Sequence, residues 1–123
     1  MYEYKLTISK VIDGDTVDGL IDCGFSIFVK KRIRLAKINA PETRTRNKSE
    51  KAKGLKAKKR LQELLKEHKG ALRVRTELDK TGKFGRVLGT LFAIHSDSQF
   101  QQRELNINKQ LLDEGLVEVY GKV

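Results

Sequence analysis

The chain has 123 residues, 38% hydrophobic and 34% charged, with 26 Lys and Arg against 16 Asp and Glu for a formal net charge of +10. A domain of this size buries about two-thirds of its unfolded surface; the spread of Leu, Ile and Val argues against wholesale disorder, and a single cysteine, Cys23, excludes an internal disulfide and a four-cysteine zinc site. No stretch approaches the ~20 apolar residues of a membrane helix, and the opening M-Y-E-Y-K-L has no basic segment followed by an apolar run, so no secretory signal is read and a cytoplasmic protein is expected.

Tyr2, Tyr4, Leu6 and Ile8 alternate with Glu3, Lys5, Thr7 and Ser9, the period of a half-buried strand. Asp13-Gly14 marks a turn, and an extended pattern resumes over residues 16–21. Asp22-Cys23-Gly24 is a second turn, and residues 25–38, rich in Phe, Ile and Val, read as one long strand. These runs, joined by tight turns, suggest an antiparallel meander. Pro41 cannot continue a central ladder, so the strand ends near Asn39 and a loop follows.

Asn47 with Glu50 three residues on resembles a capping box. Ala57, Leu61, Leu64 and Leu65 recur at helical spacing, which predicts a helix over residues 48–67 stopped by Gly70, with Gly54 weakening its first turns. Leu72, Val74, Thr76 and Leu78 form the next strand pattern, residues 79–82 a turn, and residues 87–94 another strand. Leu105, Leu111 and Leu112 are assigned to a short second helix closed by Gly115, and residues 116–120 to a last extended segment; Gln99, Gln101 and Gln102 read as loop. The expected fold is mainly β with helices, an α+β chain. One domain over residues 1–123 forms a five-stranded Greek-key β-barrel of the OB type, with one helix after strand 3 and a short second helix.

The charge is uneven: residues 44–60 hold nine basic residues and one acid, Glu50. Such a balance attracts polyanions, nucleic acid foremost, although a solvated helix face gives the same composition. Three clusters carry candidate chemistry. Asp13-Gly14-Asp15-Thr16 joins two strands; its paired carboxylates suit a hard divalent cation, and the same letters also make an ordinary hairpin turn. In the run 34–42, Arg34 on a strand can offer a fixed guanidinium to phosphate, and Glu42, just past Pro41, can orient or deprotonate a water. Lys83-Phe84-Gly85-Arg86 precedes a strand and places a second arginine at its start. His68 and His95 have no second histidine or cysteine at ligand spacing and are read as structural or solvent-exposed; Cys23 has no base partner.

These clusters occur in order on the expected elements, as V-I-D-G-D-T-V (11–17), R-L-A-K-I-N-A-P-E (34–42) and K-F-G-R (83–86). They are supported by E-K-A-K-G-L-K-A-K (50–58) and I-N-K-Q-L-L-D-E-G-L (107–116). In this respect the sequence resembles the staphylococcal nuclease (thermonuclease) family, over residues 6–120. The resemblance implies one Ca²⁺ ion with Asp15 as direct ligand, Asp13 beside it, the Ala40 backbone carbonyl, and Asn39 where the family usually has a second aspartate. It implies Glu42 as the water-activating glutamate and Arg34 and Arg86 as the phosphate-binding arginines. It further implies hydrolysis of DNA and RNA phosphodiesters with little sequence preference, leaving 3′-phosphates. Single-stranded DNA and RNA are the expected partners, along Lys48, Lys53, Lys56, Lys59 and Lys83; no membrane or protein partner is implied, and a monomer is expected. Two departures stand out: Asn39 brings no charge to the cation, and Phe84 lacks the hydroxyl of the family's usual tyrosine. Asn39 is the residue that speaks for a rival, a non-catalytic nucleic-acid-binding module of the same fold.

Overall fold

The alternation seen at the start of the chain becomes three strands in succession, β1 (Glu3–Asp13), β2 (Thr16–Asp22) and β3 (Phe28–Leu35). They are followed by the short β4 (Ile38–Asn39) and the helix α1 (Lys48–Glu67). Next come β5 (Leu72–Glu77), β6 (Arg86–Ser96), β7 (Gln102–Asn106), the helix α2 (Ile107–Asp113) and β8 (Glu118–Val119). This computed structural model describes residues 2–77, 86–96 and 102–120. The expected turn at 79–82, Leu78, Lys83, Phe84, Gly85, Gln99 and Gln101 lie outside the described residues.

β1 pairs antiparallel with β2 and with β5, β2 with β3, and β5 with β6; β3 and β6 meet in parallel and close the ring. The result is a closed five-stranded barrel with two helices, as expected. The length of β6 makes closure compatible with a further strand. Its first residues, Arg86 to Gly89, border β3, and its last, Phe92 to Ser96, border β7. Val17, Ile33, Leu35, Val74 and Leu91 fill the barrel and are fully buried. α1 closes one side of it with Ala57, Leu61, Leu64 and Leu65, and α2 adds Ile107 and Leu111.

α1 has the bounds its periodicity dictates, and the Asn47 side chain accepts the Glu50 N–H at 3.1 Å. Gly54 is in the helix for a different reason than weak propensity. A Cβ there would stand 2.6 Å from the Glu42 carbonyl oxygen and 2.7 Å from that of Pro41, so only glycine lets the helix pass under this loop. Arg60 is tied to Glu114 at 2.7 and 3.1 Å, joining α1 to the end of α2. Its guanidinium, with the Gln110 amide, holds the Glu114 carboxyl below the usual carboxylate range.

Two expectations need correction. The run 25–38 is not one strand. Phe25 and Ser26 have φ of 53° and 61° in a turn closed by Ile27 N–H to the Gly24 carbonyl at 2.9 Å, and Lys37, at φ 65°, separates β3 from β4. Apolar composition suggested a buried strand, but Phe25, Ile27 and Phe28 are exposed. Leu105 belongs to β7, opposite Ala93, because the Asn106 side chain caps Lys109 N–H at 3.0 Å and starts α2 only at Ile107. His68 and His95, read as structural or solvent-exposed, lie at the surface and meet there with Nδ1 and Nε2 2.8 Å apart, one at the end of α1 and one on β6. Among the described residues no helix is long and apolar enough to cross a membrane.

Candidate active site

The Asp-Gly turn is both a hairpin and a site element. Asp13 pairs with Thr16, leaving Gly14-Asp15 as a two-residue loop between β1 and β2. A Cβ on Gly14 would stand 2.7 Å from that of Ala57 and 3.0 Å from that of Ala40, so the loop lies directly on α1 and on the chain after β4. Asp15 is thereby turned inward and is only 8% exposed. Its Oδ1 accepts the Thr16 hydroxyl at 2.9 Å, and its Oδ2 accepts the Ala40 N–H at 2.8 Å. Asp13 is turned aside: its Oδ1 accepts the Thr43 hydroxyl at 2.5 Å.

Arg34 sits opposite Thr16 across β2 and β3. Nη1 donates to the Leu35 and Ile38 carbonyls, each at 2.8 Å. Nη2 donates to Asn39 Oδ1 at 3.2 Å and stands 3.4 Å from Asp15 Oδ2. The Tyr120 ring lies against the guanidinium, 5.5 Å from Cζ to centroid. The two backbone carbonyls fix the plane of the fork, and Nη2 is left facing the two side-chain oxygens. Held this way, Arg34 is an oriented donor with little rotamer entropy left to lose.

Arg86 opens β6 opposite Arg32, and Arg34 is opposite Leu88. Paired residues share a face of the sheet, so Arg86 projects on the same side as Arg34, while Ile33 and Leu35 point into the core. Ala40 and Asn39 line a cleft of about 450 Å³ together with Glu42, Asn47, Glu50, Lys53 and Glu118. Glu42 is exposed at this mouth. Asp15, Arg34, Asn39 and Ala40 are therefore in mutual contact, Glu42 opens onto the same cleft, and Arg86 shares the sheet face.

The lysines divide. Lys48, Lys53, Lys56 and Lys59 are all exposed on α1, away from its buried stripe. Lys53 lines the cleft, and Lys56 and Lys59 line a separate groove with Arg60, Glu63 and Glu114. Lys83 lies outside the described residues.

Three residues at or behind the site escaped the sequence. Glu118 is opposite Asn39 in the β4–β8 pair and brings a carboxylate to the cleft. Tyr120 backs Arg34, and its N–H donates to the Lys37 carbonyl at 2.9 Å. Buried Asn108 donates to the Ala36 and Gly89 carbonyls at 3.0 and 3.3 Å and accepts Leu91 N–H at 3.0 Å, fixing the chain just after Arg34. Residues 116–120 read only as an extended segment; the partners of Glu118 and Tyr120 across the fold had no local signal.

A cation at this site would be bound by oxygen alone: the Asp15 carboxylate, the Asn39 amide oxygen and the Ala40 carbonyl. That donor set fits a hard ion such as Ca²⁺. It fits with a low charge count, since among the described residues no three His, Cys, Asp or Glu side chains come together as a metal cluster.

The loop under which Gly54 passes carries Glu42, so the two are mechanically linked. Gly54→Ala should lower stability by about 1–3 kcal/mol through overpacking against two carbonyls. A urea titration checks this; an unchanged midpoint would show that the loop yields freely.

Residues 32–123 match the family model described as staphylococcal nuclease homologue. The chain is also 30% identical over 122 residues to a micrococcal nuclease from Shigella flexneri, an alignment covering 96% of this chain and 59% of that protein. The chain thus spans about three-fifths of the length of the curated relative it matches. The family match begins at Arg32, so Asp13 and Asp15 precede it.

Proposed function

Since the chain belongs to the staphylococcal nuclease family, we propose that it is itself a metal-dependent nuclease. It hydrolyses phosphodiester bonds of single-stranded DNA and RNA with little sequence preference and leaves 3′-phosphates. The observation that carries this reading is the contact of Arg34 Nη2 with both Asp15 and Asn39, beside a cleft onto which Glu42 opens.

Phosphodiester hydrolysis builds negative charge on a five-coordinate phosphorus, so fixed positive groups lower its barrier. Arg34 binds a non-bridging phosphate oxygen through Nη2, exchanging its contacts to Asn39 and Asp15 for the phosphate while the two carbonyls keep hold of Nη1. Arg86, from the same face of the sheet, strengthens its hold as charge develops. Glu42 at the cleft mouth orients the attacking water and takes its proton as the P–O5′ bond breaks, and the departing 5′-oxygen takes up a proton from solvent. Asp15, Asn39 and the Ala40 carbonyl would hold Ca²⁺, which when bound supplies further positive charge at the phosphate.

The rival is a nucleic-acid-binding module without turnover. Asn39 favours it, because an amide replaces a charged ligand. Cleavage of single-stranded DNA with Ca²⁺, Mg²⁺, Mn²⁺ or excess chelator separates the two. Cleavage that needs a metal supports the nuclease. Binding without cleavage under all three metals supports the module, and undiminished cleavage in chelator overturns the calcium site.

The α1 lysines are proposed to bind phosphate backbones without reading bases. Replacing Lys48, Lys53, Lys56 and Lys59 together by Gln should weaken single-stranded DNA binding and flatten its salt dependence, by up to about 0.7 per lost phosphate contact. Lys53 alone should account for much of the loss near the cleft. An unchanged salt slope would assign these lysines to solubility.

A further inference from the structure

At the end of the β2–β3 hairpin opposite the catalytic cluster, four large apolar side chains are exposed together. Phe25 is 100% exposed, Phe28 59%, Ile27 55% and Leu20 39%. The backbone beneath them is unfavourable. Phe25 and Ser26 are both left-handed in a turn closed by Ile27 N–H to Gly24 O at 2.9 Å, a form that selects Asn-Gly rather than a bulky pair. A strained turn thus lifts a phenylalanine fully into water, with no contact among the described residues to compensate it.

Basic residues stand just behind this tip. Strand register places Arg73, Lys5, Asp22 and Phe28 in one row across the outer face of β5, β1, β2 and β3, and Lys30 beside Leu20 in the next row. The carboxylates at this end are engaged: Asp22 accepts the Gly24 N–H at 2.9 Å, and Glu3 pairs with Arg75 at 3.1 Å. At about 3.3 Å per residue, the Phe28 row lies roughly 7–10 Å behind the turn. That matches the ~5–10 Å to which apolar side chains enter the boundary of headgroups and acyl chains.

We propose that this hairpin end docks on an anionic lipid bilayer, with Phe25, Ile27 and Phe28 entering the interface and Lys5, Lys30 and Arg73 meeting the lipid charges. The pair Thr16–Arg34 is six residues along the hairpin from Asp22–Phe28, about 20 Å at strand rise. Docking therefore leaves the Asp15–Arg34 cluster in water, open to a polymeric substrate. Stacking of nucleobases is the less favoured use of the same aromatics, because Phe25 stands on a protruding turn rather than in a groove. The sequence alone suggested no membrane contact, since a few apolar residues in a turn carry no spanning signal.

The chain has no tryptophan, so Phe25→Trp installs a single reporter. Its emission should shift to the blue on adding phosphatidylserine–phosphatidylcholine vesicles and stay unchanged with phosphatidylcholine alone. Phe25→Asn, which suits the left-handed turn, should melt at or above the parent temperature and sediment with anionic vesicles at least ten-fold less. Lys5→Gln and Lys30→Gln should each weaken sedimentation about five-fold. The proposal is overturned if the parent ignores anionic vesicles or if Phe25→Asn binds them equally. It is also overturned if single-stranded oligonucleotide, and not lipid, shifts the reporter.

Discussion

Arg34→Ala should lower turnover by about 10²–10³-fold, the usual consequence of losing one preorganised transition-state donor, and should lower the melting temperature as well. The second effect comes from the guanidinium's other duty. Nη1 satisfies the Leu35 and Ile38 carbonyls across the Lys37 turn, and Nη2 joins Asn39 to Asp15. Removing it leaves two part-buried carbonyls short of a donor and a nearly buried carboxylate short of its cation, at about 1–3 kcal/mol for each unmade bond. Glu42→Gln provides the contrast. Glu42 is exposed at the cleft, so that variant should lose a similar factor in turnover while melting like the parent. Arg86→Ala should resemble Glu42→Gln in rate. Thermal melts and single-turnover cleavage on the three variants check this. A folded Glu42→Gln or Arg86→Ala that cleaves at the parent rate would remove that residue from the proposed chemistry. An Arg34→Ala with a parental melting point would deny the clip.

Local order in the sequence was enough wherever one element determines the outcome. The Asn47 cap and the leucine spacing fixed both ends of α1, and the Asp-Gly turn placed Asp15 between β1 and β2. Arg34 and Asp15 were both singled out, and β2–β3 register brings them together. The failures lie where distant segments decide. Residues 25–27 are apolar enough for a strand but sit in a turn, because no core faces them. Gly54 reads locally as a weak point in a helix, yet its role is set by two carbonyls from another segment. The approach of His68 to His95, of Tyr120 to Arg34 and of Glu118 to Asn39 spans the chain, and no spacing rule reports it.

Asn39→Asp should tighten Ca²⁺ binding by ten-fold or more and raise activity at limiting metal. Cation affinity follows the number of formal charges around the ion, and only about 1.4 kcal/mol is needed for each factor of ten. The position is suited to the change: Asn39 Oδ1 and Asp15 Oδ2 approach the same nitrogen of Arg34, at 3.2 and 3.4 Å, so a carboxylate at 39 adds its charge beside the proposed ion. Without metal the balance differs. Arg34 partly neutralises the new carboxylate, but Asp15 lies on the far side of the same nitrogen, and Glu118 is directly opposite across β4–β8. Like charges facing each other across a strand pair are destabilising, at about 0.2–1 kcal/mol. The metal-free variant should therefore melt no higher than the parent and plausibly below it, while the variant with saturating Ca²⁺ melts above its own metal-free form by a wider margin than the parent does. Calorimetric titration of both proteins, with melts at each metal concentration, reads the two effects separately. Equal Ca²⁺ affinities would mean that position 39 does not face the ion, and Asp15 with the Ala40 carbonyl would then have to hold it with other oxygens, Glu118 being the nearest carboxylate by register.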